Sequence, residues 1–415
     1  MKLKKLGTIL LSSAMVISMV GCGSTSSSSS SASSSASSAT STASADTATS
    51  SAASSSEEAV TTSSASEEVT SSSASDSSSG VQTDMTDDIE VPDDVKGQTY
   101  DIVYLTPSTA SQFWTYVEVG IKNAMIDMED KYGITVNYST VGPAEESQTE
   151  DYVTAFEQTI AKQPDAIVTA TLAIDATIPK AQEATQNGIV LNFVNCGLGV
   201  GDDGANADAY NEFYYCSNDT IGEMAGQAFL EAMEKKGIST DSGVVGVTTN
   251  VENEALNHRV DGFRNYLTEN APGLTQTDTY YNDNVVETSQ SNAENIISTY
   301  GDELVGLYSG NNITGDGVCN AVQAAGIGDQ IVNVAVDSDD TEIAALEGGY
   351  CDAIIVQDAY QQGYLCMENA ILTLMLGENP ESKQQVNCPP VIITQDNMND
   401  SEIQDLLDPT RLAKS

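Results

Sequence analysis

The chain has 415 residues, with 61 acidic against 15 basic side chains and a formal net charge of −46. A surface this acidic argues against nucleic acid and anionic lipid headgroups as partners, because neutralising phosphate needs Lys and Arg. A single histidine, His258, and the lack of any CxxC pair leave a zinc site and Ser–His chemistry without their usual residues.

Lys2, Lys4 and Lys5 precede an apolar run at 6–20, short for a membrane span and the right size for the core of a signal peptide. The run closes on Met19-Val20-Gly21-Cys22. A small residue directly before a cysteine at this place resembles the lipobox of bacterial lipoproteins, which implies a signal peptide over 1–22 and lipidation of Cys22. From 23 to about 80 the chain is nearly all Ser, Ala and Thr, with acids but no Lys or Arg. So few large apolar side chains cannot offset the ordering entropy, and residues 23–97 are expected to be a disordered tether. From residue 81 onward the balance is 12 basic against 55 acidic side chains.

Beyond the tether, strand-like and helix-like runs alternate. Residues 100–106 form a short β-rich run, and 113–131 place Val117, Ile121, Ala124, Met125 and Met128 on one helical face. A strand at 134–139, a helix at 152–162, a strand at 165–171, a helix at 174–186 and a strand at 188–195 follow. The alternation then restarts. Helices are predicted at 221–236, 256–266, 289–299, up to 325, at 340–347 and at 360–376. Strands are predicted at 243–249, 277–281, 304–309, 331–337, 351–356 and 389–394. Continuous apolar strands separated by helices indicate parallel sheets covered on both faces, and the two halves imply two doubly wound α/β domains. Ligands of such sheets sit beyond the carboxyl ends of the strands.

Polar residues gather at those ends. The first strand runs into Thr106-Pro107-Ser108-Thr109-Ala110-Ser111-Gln112 and then Phe113-Trp114, and a later one ends in Asn195. A helix carries Asn257-His258-Arg259-Val260-Asp261-Gly262-Phe263, and further strands end in Gly310-Asn311-Asn312, in Asp337 and in Gln357. In order and spacing this series resembles the ribose/galactose-type branch of the type I periplasmic, or solute-binding, proteins over nearly all of 98–400. The resemblance implies two parallel-sheet lobes, 98–219 plus 358–388 and 220–357 plus 389–415. They would be joined by a three-strand hinge near 218–219, 357–358 and 388–389.

It also implies ligand contacts. Phe113 and Trp114 match the aromatic pair, one of which stacks on a sugar ring. Asn195 stands where ribose binders have an aspartate, Arg259 matches the arginine that donates to ring oxygen and hydroxyls, and Asn311, Asp337 and Gln357 match the remaining polar ligands. Cys196 replaces the arginine that often follows the aspartate. No second stacking aromatic is evident, Val285 falling near its place with Tyr280 and Tyr281 upstream. An aromatic plate with fixed Asn, Asp, Arg and Gln side chains suits a sugar, which offers apolar C–H faces and hydroxyls that donate and accept.

The resemblance implies a lipid-anchored, extracytoplasmic, monomeric receptor that takes a small polar ligand, a monosaccharide above all, to an ABC permease, with no cofactor. A sensory module of the same fold, reporting to a membrane receptor kinase, would carry the same residues. The run Asp337-Ser338-Asp339-Asp340 lacks the glycine and distal glutamate of an EF-hand loop. No Gly-x-Ser-x-Gly, HExxH or P-loop motif supports an enzyme. Cys196 and Cys216 end successive predicted strands and are candidate neighbours.

Overall fold

The structure, a computed structural model, describes residues 89–199, 206–251, 254–377 and 384–415. Cys22, the expected signal peptide and the tether up to residue 88 lie outside these residues.

The first lobe opens with β1 (Thr99–Leu105), α1 (Gln112–Tyr132), β2 (Thr135–Val141), α2 (Thr149–Ala161) and β3 (Ala166–Thr169). It continues with α3 (Ile174–Gln186), β4 (Val190–Val194) and β5 (Glu212–Tyr215). The second holds α4 (Asn218–Lys236), β6 (Gly243–Thr249), α5 (Glu254–Asn270), β7 (Leu274–Tyr281) and α6 (Val286–Tyr300). After these come β8 (Leu304–Ser309), α7 (Asn312–Ala325), β9 (Val332–Val336), α8 (Asp340–Gly348) and β10 (Ala353–Val356). The chain then returns to the first lobe as α9 (Ala359–Leu376) and β11 (Gln385–Asn387), and ends with β12 (Val391–Ile393) and α10 (Ser401–Leu407) in the second.

Each lobe is built on a six-stranded sheet, in the orders β11-β5-β4-β3-β1-β2 and β12-β10-β9-β8-β6-β7. Every residue of β3, β4 and β9 is buried, as strands covered by helices on both faces require. The strand order reverses beside β1 in one sheet and beside β6 in the other, so each lobe opens a crevice at its carboxyl edge. The chain passes between the lobes at 215–218, 356–359 and 387–391. These passages are tied together: Ser217 N donates to Asn387 Oδ1 at 2.9 Å, and Cys388 N to Tyr215 O at 2.7 Å.

Paired glycines set the helix packing. In the first lobe a Cβ on Gly120 of α1 would stand 2.0 Å from Tyr360 O, and one on Gly363 of α9 would stand 2.2 Å from Val117 O. In the second, a Cβ on Gly222 of α4 would stand 2.1 Å from Arg259 O, and one on Gly262 of α5 would stand 2.5 Å from Asp219 O. Both pairs are in backbone contact that only glycine permits. Phe263, next to Gly262, stacks on Tyr308 with ring centroids 4.1 Å apart and meets Phe229 edge-on at 5.6 Å. The Arg-x-x-Gly-Phe helix is therefore pinned to α4 by its glycine and to the sheet by its phenylalanine.

Four features differ from the sequence reading. Strand β12 pairs antiparallel with β10, so the second sheet is mixed at that edge. The expected tether runs too far: Val95, in a 3-10 turn at Asp93–Val95, is buried in the first core, with Ile89 and Val91 packed on it. The last residues do not stay with the second lobe. Asn123 Nδ2 of α1 donates to Leu412 O at 2.8 Å, and Lys414 N donates to Asn123 Oδ1 at 2.9 Å. Strand β11 and helix α10 have runs too short and polar to register as periodic segments. The thiols of Cys196, Cys216, Cys319, Cys351, Cys366 and Cys388 are all free.

Two outcomes follow from this packing. Replacing Gly262 by Ala drives a methyl into the Asp219 carbonyl, and overpacking of this kind costs about 1–3 kcal/mol. Thermal unfolding of Gly262→Ala should show that loss, and an unchanged midpoint would contradict the close helix contact. Burial also raises four carboxyls of the second lobe and crossover: Asp316 to about 6, Asp339 to about 7, Asp358 to about 6, and Glu342 well above its usual range. A carboxyl with its folded pKa raised favours folding in the protonated form, so this stability is present at low pH and is lost as pH rises from about 4 to about 7. The melting temperature should therefore be higher at pH 5 than at pH 8. Asp358→Asn should flatten that slope, because asparagine can still cap α9 by accepting from Gln361 N.

Candidate functional site

In the first lobe, the loops after β1 and β2 are fastened to each other. Ser108 Oγ donates to Ala144 O at 2.6 Å and accepts from the backbone of Ala110 and Ser111 at 3.2 and 3.1 Å. Gly142, with φ of 156°, allows this approach, since a Cβ there would meet Thr106 O at 2.2 Å. The clamp aims the start of α1 at the crevice. Phe113 lines a cleft together with Tyr116, Asn312, Asp337, Ser338, Asp339, Gln357 and Leu406. Trp114 packs edge-on to Phe113 at 5.0 Å, is only 3% exposed, and donates from Nε1 to Glu146 Oε1 at 2.7 Å.

Asn195, Gln357 and Asp337 form one hydrogen-bonded chain across the lobes, and Arg259 stands at its end. Asn195, after β4, donates from Nδ2 to Gln357 Oε1 at 2.9 Å and to Gln362 Oε1 at 3.1 Å. Gln357, in the crossover after β10, donates from Nε2 to Asp337 Oδ1 at 2.8 Å. The other Asp337 oxygen faces Arg259 Nη1 at 3.9 Å. Arg259 is itself held by Asn218 Oδ1 at 2.8 Å and Gly310 O at 3.1 Å, and is 8% exposed. Asn195 and Asp337 have φ of 61° and 84°, a region that costs a non-glycine residue of order 1–3 kcal/mol. The turn each makes swings its side chain off the strand and into this chain of bonds.

The structure thus brings Asn195, Gln357, Asp337 and Arg259 together. Phe113 lines the cleft beside two of them, Asp337 and Gln357. Asn311 is adjacent through Gly310 and is engaged locally, accepting from Thr314 Oγ1 at 2.5 Å. Trp114 lies one layer back, among buried core residues. Near the place of a second aromatic, Val285 and Tyr281 are 42% and 38% exposed, while Tyr280 packs against the α6/β8 core. His258 bonds to Asp219 on the exposed side of α5, at 2.9 Å.

Sequence reasoning did not single out Asn218 as the Arg259 partner, Gln362, or Glu146. Asn218 and Gln362 sit at helix starts beside crossovers, where position is legible only once the lobes are assembled. Glu146 lies among Glu145, Gln148 and Glu150 in a polar stretch with no period to mark it. Burial raises its pKa, the Trp114 N–H offsets this in part, and the charges of Asp337 and Glu145 raise it further. Cys196, beside Asn195, has a thiol that burial pushes up to about 12, so it stays protonated at neutral pH. Among the described residues no cluster of His, Cys, Asp or Glu is arranged to hold a metal ion.

Residues 102–379 match the periplasmic binding protein domain family. No curated protein matches the chain. A carbohydrate-transporter solute-binding protein from Agrobacterium radiobacter, solved with D-arabinose, is 23% identical with a TM-score of 0.64, over 75% of this chain and 99% of its own. A solute-binding protein of an ABC transporter from Agrobacterium vitis, solved with D-fucose, is also 23% identical with a TM-score of 0.64, over 74% and 99%. A sugar transporter protein from Clostridium phytofermentans is 22% identical with a TM-score of 0.56, over 72% and 100%. These likenesses establish the shared type I fold of two parallel-sheet lobes. With the family match spanning well over half of its length, the chain belongs to the periplasmic binding protein domain family, a family of binding proteins rather than of enzymes.

Proposed function

We propose that the chain is a lipid-anchored, extracytoplasmic solute-binding protein that captures a monosaccharide between its lobes and delivers it to an ABC import permease. The observation that carries this reading is the hydrogen-bonded chain from Asn195 through Gln357 to Asp337, with Arg259 3.9 Å from Asp337, and Phe113 lining the cleft beside Asp337 and Gln357. An apolar ring face with fixed donors and acceptors around it matches the two faces of a sugar. Groups already bonded to each other are held in place before ligand arrives, which lowers the ordering cost of binding. Structures of the same fold with D-arabinose and D-fucose support the ligand class. The anchor rests on Cys22, and the permease on the family's role in import. Capture proceeds by hinge motion at the three crossovers, and closure presents a new surface for docking.

Trp114 is the sole tryptophan, and it packs against the cleft-lining Phe113. Titration with D-arabinose, D-fucose, D-tagatose, nucleosides and polyols should change its emission for at least one sugar. The same sugar at 100 times its Kd should stabilise the protein by about 2.7 kcal/mol in thermal unfolding. Silence across the whole panel in both measurements would refute the reading. Arg259→Met removes the bonds to Asn218 and Gly310 and leaves Asp337 without its cation. It should weaken sugar binding by about 10- to 100-fold and lower stability by about 1–3 kcal/mol, as loss of charged hydrogen bonds does. Calorimetric titration reads the first effect, and an unchanged Kd would remove Arg259 from the site.

A further inference from the structure

We infer that Asn312 and Asp339 are the second lobe's contacts to two adjacent hydroxyls of the ligand, in the place that the sequence reading gives to Asn311. This rests on the sugar-binding reading above. Asn312 and Asp339 both line the cleft, and Asn311 does not. Asn311 is 9% exposed, and both ends of its amide are engaged beside it: Oδ1 accepts from Thr314 Oγ1, and Nδ2 donates to Asn312 Oδ1 at 3.4 Å.

Asn312 opens α7 and Asp339 directly precedes α8, so each is presented by the start of a helix. Asn312 Nδ2 donates to Asp339 Oδ2 at 3.1 Å. Asp339 is also fixed by a capping box with the fully buried Glu342, in which its backbone N donates to Glu342 Oε2 at 3.0 Å. What the pair has left decides what it can bind. Asn312 keeps its second amide hydrogen. An ionised carboxylate has about four lone-pair sites and only accepts, and at Asp339 the Asn312 amide and the helix cap take one each. One ligand hydroxyl can therefore donate to Asp339 while its neighbour accepts from Asn312. Groups only 3.1 Å apart match hydroxyls on adjacent ring carbons rather than on opposite sides of a ring. From the first lobe, Phe113 and Tyr116 stand three residues apart on one face of α1, line the same cleft, and offer aromatic surface to the C–H faces of that ring.

Wild type, Asn312→Ala and Asp339→Asn are titrated calorimetrically with the tightest binder among D-arabinose, D-fucose and D-tagatose, and then with its monodeoxy derivatives. Titration at pH 8 keeps Asp339 ionised, since burial raises its pKa to about 7. Asparagine at this position can still cap α8. Asp339→Asn should bind the parent sugar about 10- to 100-fold more weakly and Asn312→Ala about 3- to 10-fold, the worth of a charged and of a neutral hydrogen bond. For each variant one monodeoxy derivative, weak on wild type, should lose nothing further, because both changes remove the same bond. The two derivatives should lack hydroxyls on adjacent carbons, whereas a merely structural role would weaken every derivative alike. Should a variant fail to fold, Asn312→Ser or Asp339→Ser, the latter still able to cap α8, should show the same non-additivity. Parent-sugar affinity within twofold of wild type for either variant, losses that add for every derivative, or matching derivatives that lack hydroxyls on distant carbons would overturn the inference while leaving the sugar reading intact. A wild-type protein that binds none of the three sugars would overturn the sugar reading and this inference with it.

Discussion

The site depends on one carboxylate, Asp337, and on the turn that presents it. Its positive φ of 84° breaks β9 at the crevice edge and directs the side chain at both the crossover and α5. One oxygen takes the Gln357 amide, and the other faces Arg259. Through Gln357 the connection reaches Asn195 in the other lobe, and through Arg259 it reaches Asn218 beside a second crossover. A carboxylate drawn partly out of water is costly unless paired and hydrogen-bonded, and Asp337, only 15% exposed, has both kinds of partner here.

That arrangement needs a rigid frame, and glycine supplies it twice. Gly222 and Gly262 bring α4 and α5 into backbone contact, so Arg259 projects from a fixed helix rather than a mobile one. Gly120 and Gly363 do the same for α1 and α9, which carry Phe113 and the residues after Gln357. Each lobe is thus a solid body with its site residues on its rim. The connections between the bodies are short and few, the conditions under which hinge closure is the natural motion.

The strands and long helices were legible in the sequence because continuous apolar runs and helical spacing survive any assembly of the lobes. Segments 174–186, 243–249 and 304–309 coincide with α3, β6 and β8. What escaped has physical causes. Strand β11 is three residues long and β12 reverses direction, so neither announces its pairing. The packing of the last residues on α1 depends on contacts nearly 300 positions apart, such as Lys414 N to Asn123 Oδ1 at a separation of 291. Within the site, Arg259, Asp337, Gln357 and Asn195 stood out as polar residues at strand ends or on the motif helix. Trp114 looked like part of the plate, yet the fold seats it behind Phe113 with its N–H on Glu146. Glu146 itself could not be distinguished from its acidic neighbours until the loop clamp had placed it.

The most direct test of the account is a crystal structure grown with D-arabinose or another sugar that the protein binds. The account predicts the ring against Phe113, with hydroxyls bonded to Asp337 and Arg259 and both lobes in contact with the ligand. A sugar bound on the outer surface of either lobe, with the contacts from Asn195 to Arg259 untouched, would contradict it.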